Sequence, residues 1–410
     1  MAGSGSDRAR RRGRAGFGYL WTASAVSSLG DGAYLVAAPL LAAVLTKNPM
    51  GVAVVSAAAA APWFLIGFWS GAVVDRVSRR LVMVTADVVR AIGLVLLALL
   101  VATANASITA LAITSFLVVA GKTFHDAAGQ ALVPHVVGRS EDELTRANGR
   151  LFAGETVSQT IAGPPLGGAA FGLAPWLPFA LDAASFAGSA ALLRGVPAPP
   201  KPNRPDGQSV AAAVREGFRY LFRSRDLVAL ALSLAAFNIA FNLASATFVL
   251  FAKETLGVTD LGYGLIVTAQ AVGAAVAGWF ARPVVRWLTT KGAVAAALVV
   301  QALGWLAVAV GSSAWIGGGA FMILGMSTTL VTVAAVSARQ RIVPDHLLGR
   351  VVSAFRLIGN GAAPVGATLG GVVAGLAGLR APLVLAPIVL ALSLALLAGP
   401  LLRRSRDLQA

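Results

Sequence analysis

Long apolar runs separated by short polar breaks fill almost the whole chain. A hydrocarbon crossing needs about 20 mostly apolar residues in helical form. Runs of that kind recur near residues 17–45, 51–74, 82–104, 108–133, 148–173 and 176–196, and again near 227–252, 261–284, 292–312, 315–338, 351–376 and 381–402. The pattern predicts an all-α integral membrane protein of twelve transmembrane helices in two pseudo-symmetric six-helix bundles. The expected divisions are a basic N-terminus (1–16), a first bundle (17–196), a linker (197–225), a second bundle (226–402) and a short tail (403–410). The linker opens with Pro197, Pro199, Pro200, Pro202 and Pro205, which favour an extended chain. It then turns basic and helix-like through Arg215, Arg219, Arg223 and Arg225, as expected of a segment lying along a membrane surface.

Composition agrees with the pattern. Of 410 residues, 57% are hydrophobic and only 12% charged, with mean hydropathy +0.78; soluble domains carry about 25% charged residues. The net charge of +16 raises the question of nucleic acid. The basic residues, however, come in small packets at alternate ends of the apolar runs, so no nucleic-acid partner is expected. The absence of cysteine excludes disulfides and thiolate metal sites. The run from Phe17 to Thr46 is longer than a signal-peptide core, about 7–15 residues, and reads as a retained first helix.

Lysines and arginines fix the expected orientation. Twenty-seven of the 33 fall on the side that holds both termini, against Lys47, Lys253 and Arg380 on the other. Both termini are therefore expected in the cytoplasm of a multi-pass cell-membrane protein. The halves also echo each other. Val133-Pro134 follows the fourth run and Val343-Pro344 the tenth, and Arg150 precedes Pro164 by the same interval as Arg350 precedes Pro364. Such traces are expected of parallel repeats.

The loop after the second run reads Gly71-Ala72-Val73-Val74-Asp75-Arg76-Val77-Ser78-Arg79-Arg80. An acid and three arginines between two apolar runs resemble the signature loop of the major facilitator superfamily. The resemblance implies a latch between the cytoplasmic ends of the halves, carried here by Gly71, Asp75, Arg76, Arg79 and Arg80. The fifth run holds Gly163-Pro164-Pro165-Leu166-Gly167-Gly168. Proline removes a backbone donor and glycine permits close helix approach. Gly163, Pro164, Gly167 and Gly168 resemble the antiporter motif of drug–proton exporters. Gly30-Asp31-Gly32, Asp75-Arg76, and Leu132-Val133-Pro134 with Leu144, Ala147 and Asn148 are similar to the branch of bacterial siderophore and macrolide exporters.

Ionisable residues inside spans are costly and mark candidate transport sites. They are Asp31 in the first run, Lys122, His125 and Asp126 in the fourth, Glu155 in the fifth, Asp182 in the sixth and Arg356 in the eleventh. Lys122 and Asp126 stand i,i+4 and share a face. Asp87 and Arg90 are read as supports for the charged loop. Asn238 and Asn242 share a face of the seventh run, either lining a cavity or bonding between helices. The clear acids all fall in the first half. No phosphate loop, metal cluster or catalytic nucleophile motif is present, so no enzyme activity, metal or cofactor is expected.

The resemblance implies alternating access powered by the proton motive force, with a small-molecule substrate and protons as partners and a monomer in the bilayer. The expected activity is antiport that exports an amphipathic drug, antibiotic or siderophore-like molecule, of the kind underlying multidrug resistance. A proton-coupled importer of the same fold and a non-transporting sensor are the alternatives.

Overall fold

The computed structural model describes residues 3–74, 76–138, 140–197 and 210–402, and the regular structure among them is all helical. Fifteen α-helices follow in order: α1 (Gly3–Leu45), α2 (Pro49–Leu65), α3 (Gly67–Val74), α4 (Arg79–Ala102), α5 (Ile108–Val137), α6 (Glu141–Thr156), α7 (Gly163–Leu173), α8 (Leu177–Leu193), α9 (Val210–Arg223), α10 (Arg225–Ser245), α11 (Phe248–Glu254), α12 (Asp260–Val310), α13 (Ala314–Ile342), α14 (Asp345–Ala377) and α15 (Ala381–Leu402). One turn of π-helix, Val157–Ala162, joins α6 to α7. Among the described residues, eight helical segments are long and apolar enough to cross a membrane, and Pro49–Leu65, Leu177–Leu193 and Ala381–Ala395 are shorter apolar helices.

Serines placed just before several helices explain where they start. Ser107, Ser140, Ser224 and Ser313 accept from the backbone N–H three residues on, at 3.1, 3.4, 3.3 and 3.4 Å. That is the N-cap bond that occupies one of a helix's four orphan donors. Ser140 also donates to the Glu143 carboxylate at 2.9 Å.

The helices follow the expected runs with some differences, the second and seventh runs each being split in two, as α2 and α3 and as α10 and α11. The fifth run is not one helix, because the π turn falls at Val157–Ala162, immediately before Gly163-Pro164. Two prolines in succession remove ladder donors there, and a widened turn is how a helix absorbs such a defect. The eighth and ninth runs share α12, which breaks at Thr289 (φ 62°, ψ 169°), inside the expected gap between them. The first helix begins fourteen residues earlier than residue 17.

The chain divides into two compact units. The first comprises Met1–Leu45, Ala58–Gly207 and Thr259–Thr268; the second comprises Thr46–Ala57, Gln208–Val258 and Ala269–Ala410. In the first unit α1 packs along α8 and α7, and α4 packs on α8 and α5. Leu20, Met83, Leu132, Val133 and Leu193 form an apolar cluster where α1, α4, α5 and α8 meet. Helix α4 is inside-out by water-soluble standards. Its exposed stripe is Val88, Val89, Ile92, Val95, Leu96 and Leu99, while Asp87 and Arg90 are buried. That is the polarity a lipid solvent demands.

In the second unit α10 packs on α14 and α15, and α9 on α14. Its core is aromatic: Phe248 and Phe321 lie 4.4 Å apart, and Trp305, fully buried, meets Phe241 and Phe321 edge-on.

Candidate functional site

The first unit buries a network of charge. Asp31 of α1 is bonded by the Arg90 guanidinium of α4, and Lys122 of α5 reaches its other oxygen at 3.1 Å. Lys122 also stands 3.6 Å from Asp126, one turn on. Arg90 lies flat over the Phe186 ring of α8, 3.6 Å from its centroid, an arrangement the planar guanidinium favours. Its other end is 3.6 Å from Asp87. Asp87 in turn accepts from Ser189 of α8 at 2.6 Å and has the His125 ring at 2.9 Å. His125 stands at ion-pair distance but lacks hydrogen-bond alignment, and its Nδ1 is among the buried atoms without such a bond.

Four helices thus converge on the Asp31 and Asp87 carboxylates, which are held by three cationic or titratable groups and the Ser189 hydroxyl. Nearby, Tyr34 and Ser115 share a buried 2.8 Å hydrogen bond between α1 and α5. Asp182 of α8 is fully buried, takes a 3.1 Å bond from Ser185 on one oxygen and has no hydrogen-bond partner on the other. Gly30 lets it lie there, since a side chain at that position would strike Asp182 and Ser185.

The glycine-proline segment is packed against the same stretch of α1. A side chain at Gly163 would collide with the backbone of Gly32 and Leu29, and one at Gly167 with that of Ala33. Gly168 and Gly264 are in equally close backbone contact, with Asp260 and Pro164 respectively. Only glycine allows backbones this near. The motif therefore fixes the helix that carries Asp31.

Beside the network opens a pocket of about 270 Å³, lined by Ser24, His125, Asp126, Gln130, Asn148 and Glu155 among others. It brings Glu155 of α6 to the same space as Asp126. A larger groove of about 610 Å³ between α4 and α8 is lined only by apolar residues such as Ile92, Leu96, Trp176 and Ala183. It opens along the lipid-facing stripe of α4 and holds no chemistry.

Other expected residues are placed differently. Asp75 lies outside the described residues, so its latch role has no geometry here. Arg79 donates to the Ala131 carbonyl at 3.0 Å and meets His135, while Arg80 donates to the carbonyls of Arg194 and Val196 at 3.3 and 3.0 Å. Both tie off helix C-terminal ends within the first unit, where a cation is favoured. Asn238 and Asn242 turn their amides back on their own helix, to the carbonyls of Leu234 and Asn238 at 2.9 Å each. Arg356 is exposed and makes no ion pair among the described residues.

The reading of Asp87 and Arg90 as supports for the charged loop is corrected. Both are buried at 0% and 1% exposure inside the network. The helix starts at Arg79, so Asp87 already sits about two turns deep. The signal available in the sequence was their i,i+3 spacing on a span with no other charge beyond its first turn. Ser189, Tyr34 and Ser115 carried none.

Solved structures similar to this one include membrane transporters. A bacterial homologue of the human lysosomal transporter Spinster, inward-facing and unoccupied, is 15% identical with a TM-score of 0.73, covering 96% of this chain and 98% of its own. A bacterial homologue of the iron transporter ferroportin, inward-facing, is 18% identical with a TM-score of 0.76, over 95% and 99%. The nucleoside transporter NupG is 13% identical with a TM-score of 0.74, over 95% and 99%. At such identities the likeness is one of fold. Among curated proteins no match was found.

Helices of membrane length and this likeness define an all-helical membrane fold shared with those transporters. The chain belongs to the family described as transmembrane secretion effector, whose pattern it matches over residues 13–409.

Proposed function

We propose that the protein is a proton-coupled antiporter that exports an amphipathic small molecule, of antibiotic or siderophore type, from the cytoplasm. The observation that carries this reading is the buried network of Asp31, Arg90, Lys122, Asp87 and His125, with Asp126 and Glu155 beside it in an open pocket. Burying charge in a span is costly unless the charges are paired. A network of more acids than strong bases can take up and release a proton by exchanging partners. The pocket supplies a route between the network and water. The secretion description of the family and the packing of the glycine-proline motif on α1 favour export.

The same reading has twelve crossings in two bundles, 17–196 and 226–402, with both termini in the cytoplasm of the cell membrane. It is supported by the eight long spans, the three shorter apolar helices and the broken segment from Glu141 to Leu173. The chain works as a monomer, without cofactor or catalytic chemistry.

Inverted membrane vesicles with an acidified lumen test the proposal. Adding a candidate substrate outside should release lumenal protons, and the release should vanish in Asp31→Asn. Substrate entering the lumen without proton release excludes antiport. Substrate leaving together with protons makes the protein an importer. No flux across a broad panel of amphipathic compounds, by a protein shown to be folded, makes it a sensor.

A further inference from the structure

Helix α9 joins the linker to α10, and its two faces differ in kind. On one face Gly217 lies against the backbone of Arg350, Glu216 pairs with the Arg350 side chain, the Tyr220 hydroxyl donates to the Ile342 carbonyl at 3.3 Å, and Leu221 is fully buried. At about 100° per residue, Arg215, Arg219, Phe222 and Arg223 fall together on the opposite face, and all four are exposed. Phe222 is 65% exposed and stacked on Phe218.

The docked face also fixes the depth of α9. Ile342 is the last residue of the span Ala314–Ile342, Arg350 lies in the first turn of the span Leu347–Ala377, and Ser224 caps the span that opens at Arg225. Three span ends meet at α9, so it lies at the level where hydrocarbon gives way to headgroups. A face meant only for water has no use for an uncovered phenylalanine among three arginines. A phospholipid interface favours that mixture, with basic heads on phosphates and an aromatic ring at the acyl boundary.

We propose that this face of α9 binds anionic phospholipid headgroups, with Arg215, Arg219 and Arg223 on the phosphates and Phe222 entering the edge of the acyl layer. Guanidinium groups match phosphate oxygens in paired hydrogen bonds. Each basic residue near an anionic surface strengthens retention about fivefold, so three together give roughly a hundredfold. The surface is separate from the charge network of the first unit, and its occupancy anchors α9, and through Glu216–Arg350 the start of α14.

Full-length protein in nanodiscs of phosphatidylcholine mixed with phosphatidylglycerol provides the test, with retained lipid read by native mass spectrometry after transfer to detergent. The wild type should keep phosphatidylglycerol in preference to phosphatidylcholine, and lose the preference in high salt. The triple variant Arg215→Gln/Arg219→Gln/Arg223→Gln should lose it roughly a hundredfold, whereas the corresponding triple lysine variant should keep most of it. Since all three side chains are exposed, thermal midpoints in phosphatidylcholine alone should coincide. Equal retention by wild type and glutamine variant overturns the proposal. So does equal stabilisation of the wild type in phosphatidylcholine discs by inorganic phosphate or a polyglutamate peptide, which would mark a site for soluble anions or an acidic partner. If the triple variant does not fold, the salt dependence of the wild type decides: a lipid preference unchanged by salt overturns it.

Discussion

Asp31 holds two cations at once, the Arg90 guanidinium and the Lys122 ammonium, and is itself 7% exposed. Replacing it with asparagine keeps the shape and removes the charge. Both cations are then left buried with one acid fewer between them, and breaking a buried pair costs about 3–5 kcal/mol. Asp31→Asn should therefore lower the thermal midpoint markedly in detergent and abolish substrate-driven proton release. Adding Lys122→Met should recover part of the stability and none of the proton release. If Asp31→Asn alone leaves both quantities unchanged, the network is not a functional unit. Part of it was legible as charge within apolar runs, which singled out Asp31, Lys122 and His125, with Asp126, Glu155 and Asp182 near them, while Asp87 and Arg90 read as loop supports. What the runs could not give was the partner of each, because Arg90 meets Asp31 across 59 residues of chain. A second residue-scale prediction concerns Ala104, which sits at φ 56° in the turn that ends α4. Its N–H bonds the Val101 carbonyl at 3.1 Å, and Asn105 closes on Leu100 at 2.8 Å. This helix ending favours glycine, and the left-handed backbone costs other residues roughly 1–2 kcal/mol. Ala104→Gly should raise the unfolding free energy by about 1 kcal/mol, measured by thermal or denaturant unfolding in detergent.

At the scale of elements, the glycine-proline motif is a packing device with a functional consequence. Gly163 and Gly167 let α7 touch the backbone of α1 at Gly32 and Ala33, one and two residues beyond Asp31, and the π turn lies immediately before them. A methyl group at Gly163 would meet backbone, which cannot move aside as a side chain can. Overpacking of this kind costs about 1–3 kcal/mol or more. Gly163→Ala should lower the thermal midpoint and impair proton release together, since α1 must shift. Gly188→Ala on α8, where an added methyl meets open space, should change neither. The second half repeats the device as closely: Gly366 and Gly370 of α14 lie against the backbone of Ile239 and Leu243 of α10. The matched Arg-to-Pro intervals pointed to that repeat. The π turn was not legible, because helix widening depends on how neighbours fill the gap, and a run of apolar residues does not encode it. The break at Thr289 falls inside the gap expected between the eighth and ninth runs, but its form was not legible. A β-branched residue at φ 62° is strained, and the local sequence favours no such conformation. Thr289→Gly should relieve that strain and stabilise the second unit by about 1 kcal/mol or more.

Across the whole molecule the two units divide their polar residues unequally. The ionisable side chains buried among the described residues (Asp31, Asp87, Arg90, His125 and Asp182) all belong to the first unit. Among the described residues, the polar groups buried in the second unit are the neutral Ser233, Thr247, Gln301 and Ser327. Gln301 of α12 donates to the Phe237 carbonyl at 3.2 Å, and its own carbonyl oxygen has no partner. Under the proposed antiport, this imbalance would put proton exchange in the first unit and leave the second to contribute shape and neutral hydrogen bonding. The two contributions separate in one experiment, in which proton release and substrate affinity are read from the same reconstituted vesicles. Asp126→Asn, Glu155→Gln and Asp182→Asn, made singly, should reduce proton release per substrate moved, with binding of the substrate changed less. Gln301→Ala should weaken substrate binding severalfold while leaving the ratio of protons to substrate as it was. The ratio is the decisive readout, because general loss of folding lowers both fluxes together and leaves it fixed. A Gln301 variant with an altered ratio would place coupling in both units. Three first-unit variants with unaltered ratios would remove it from the first.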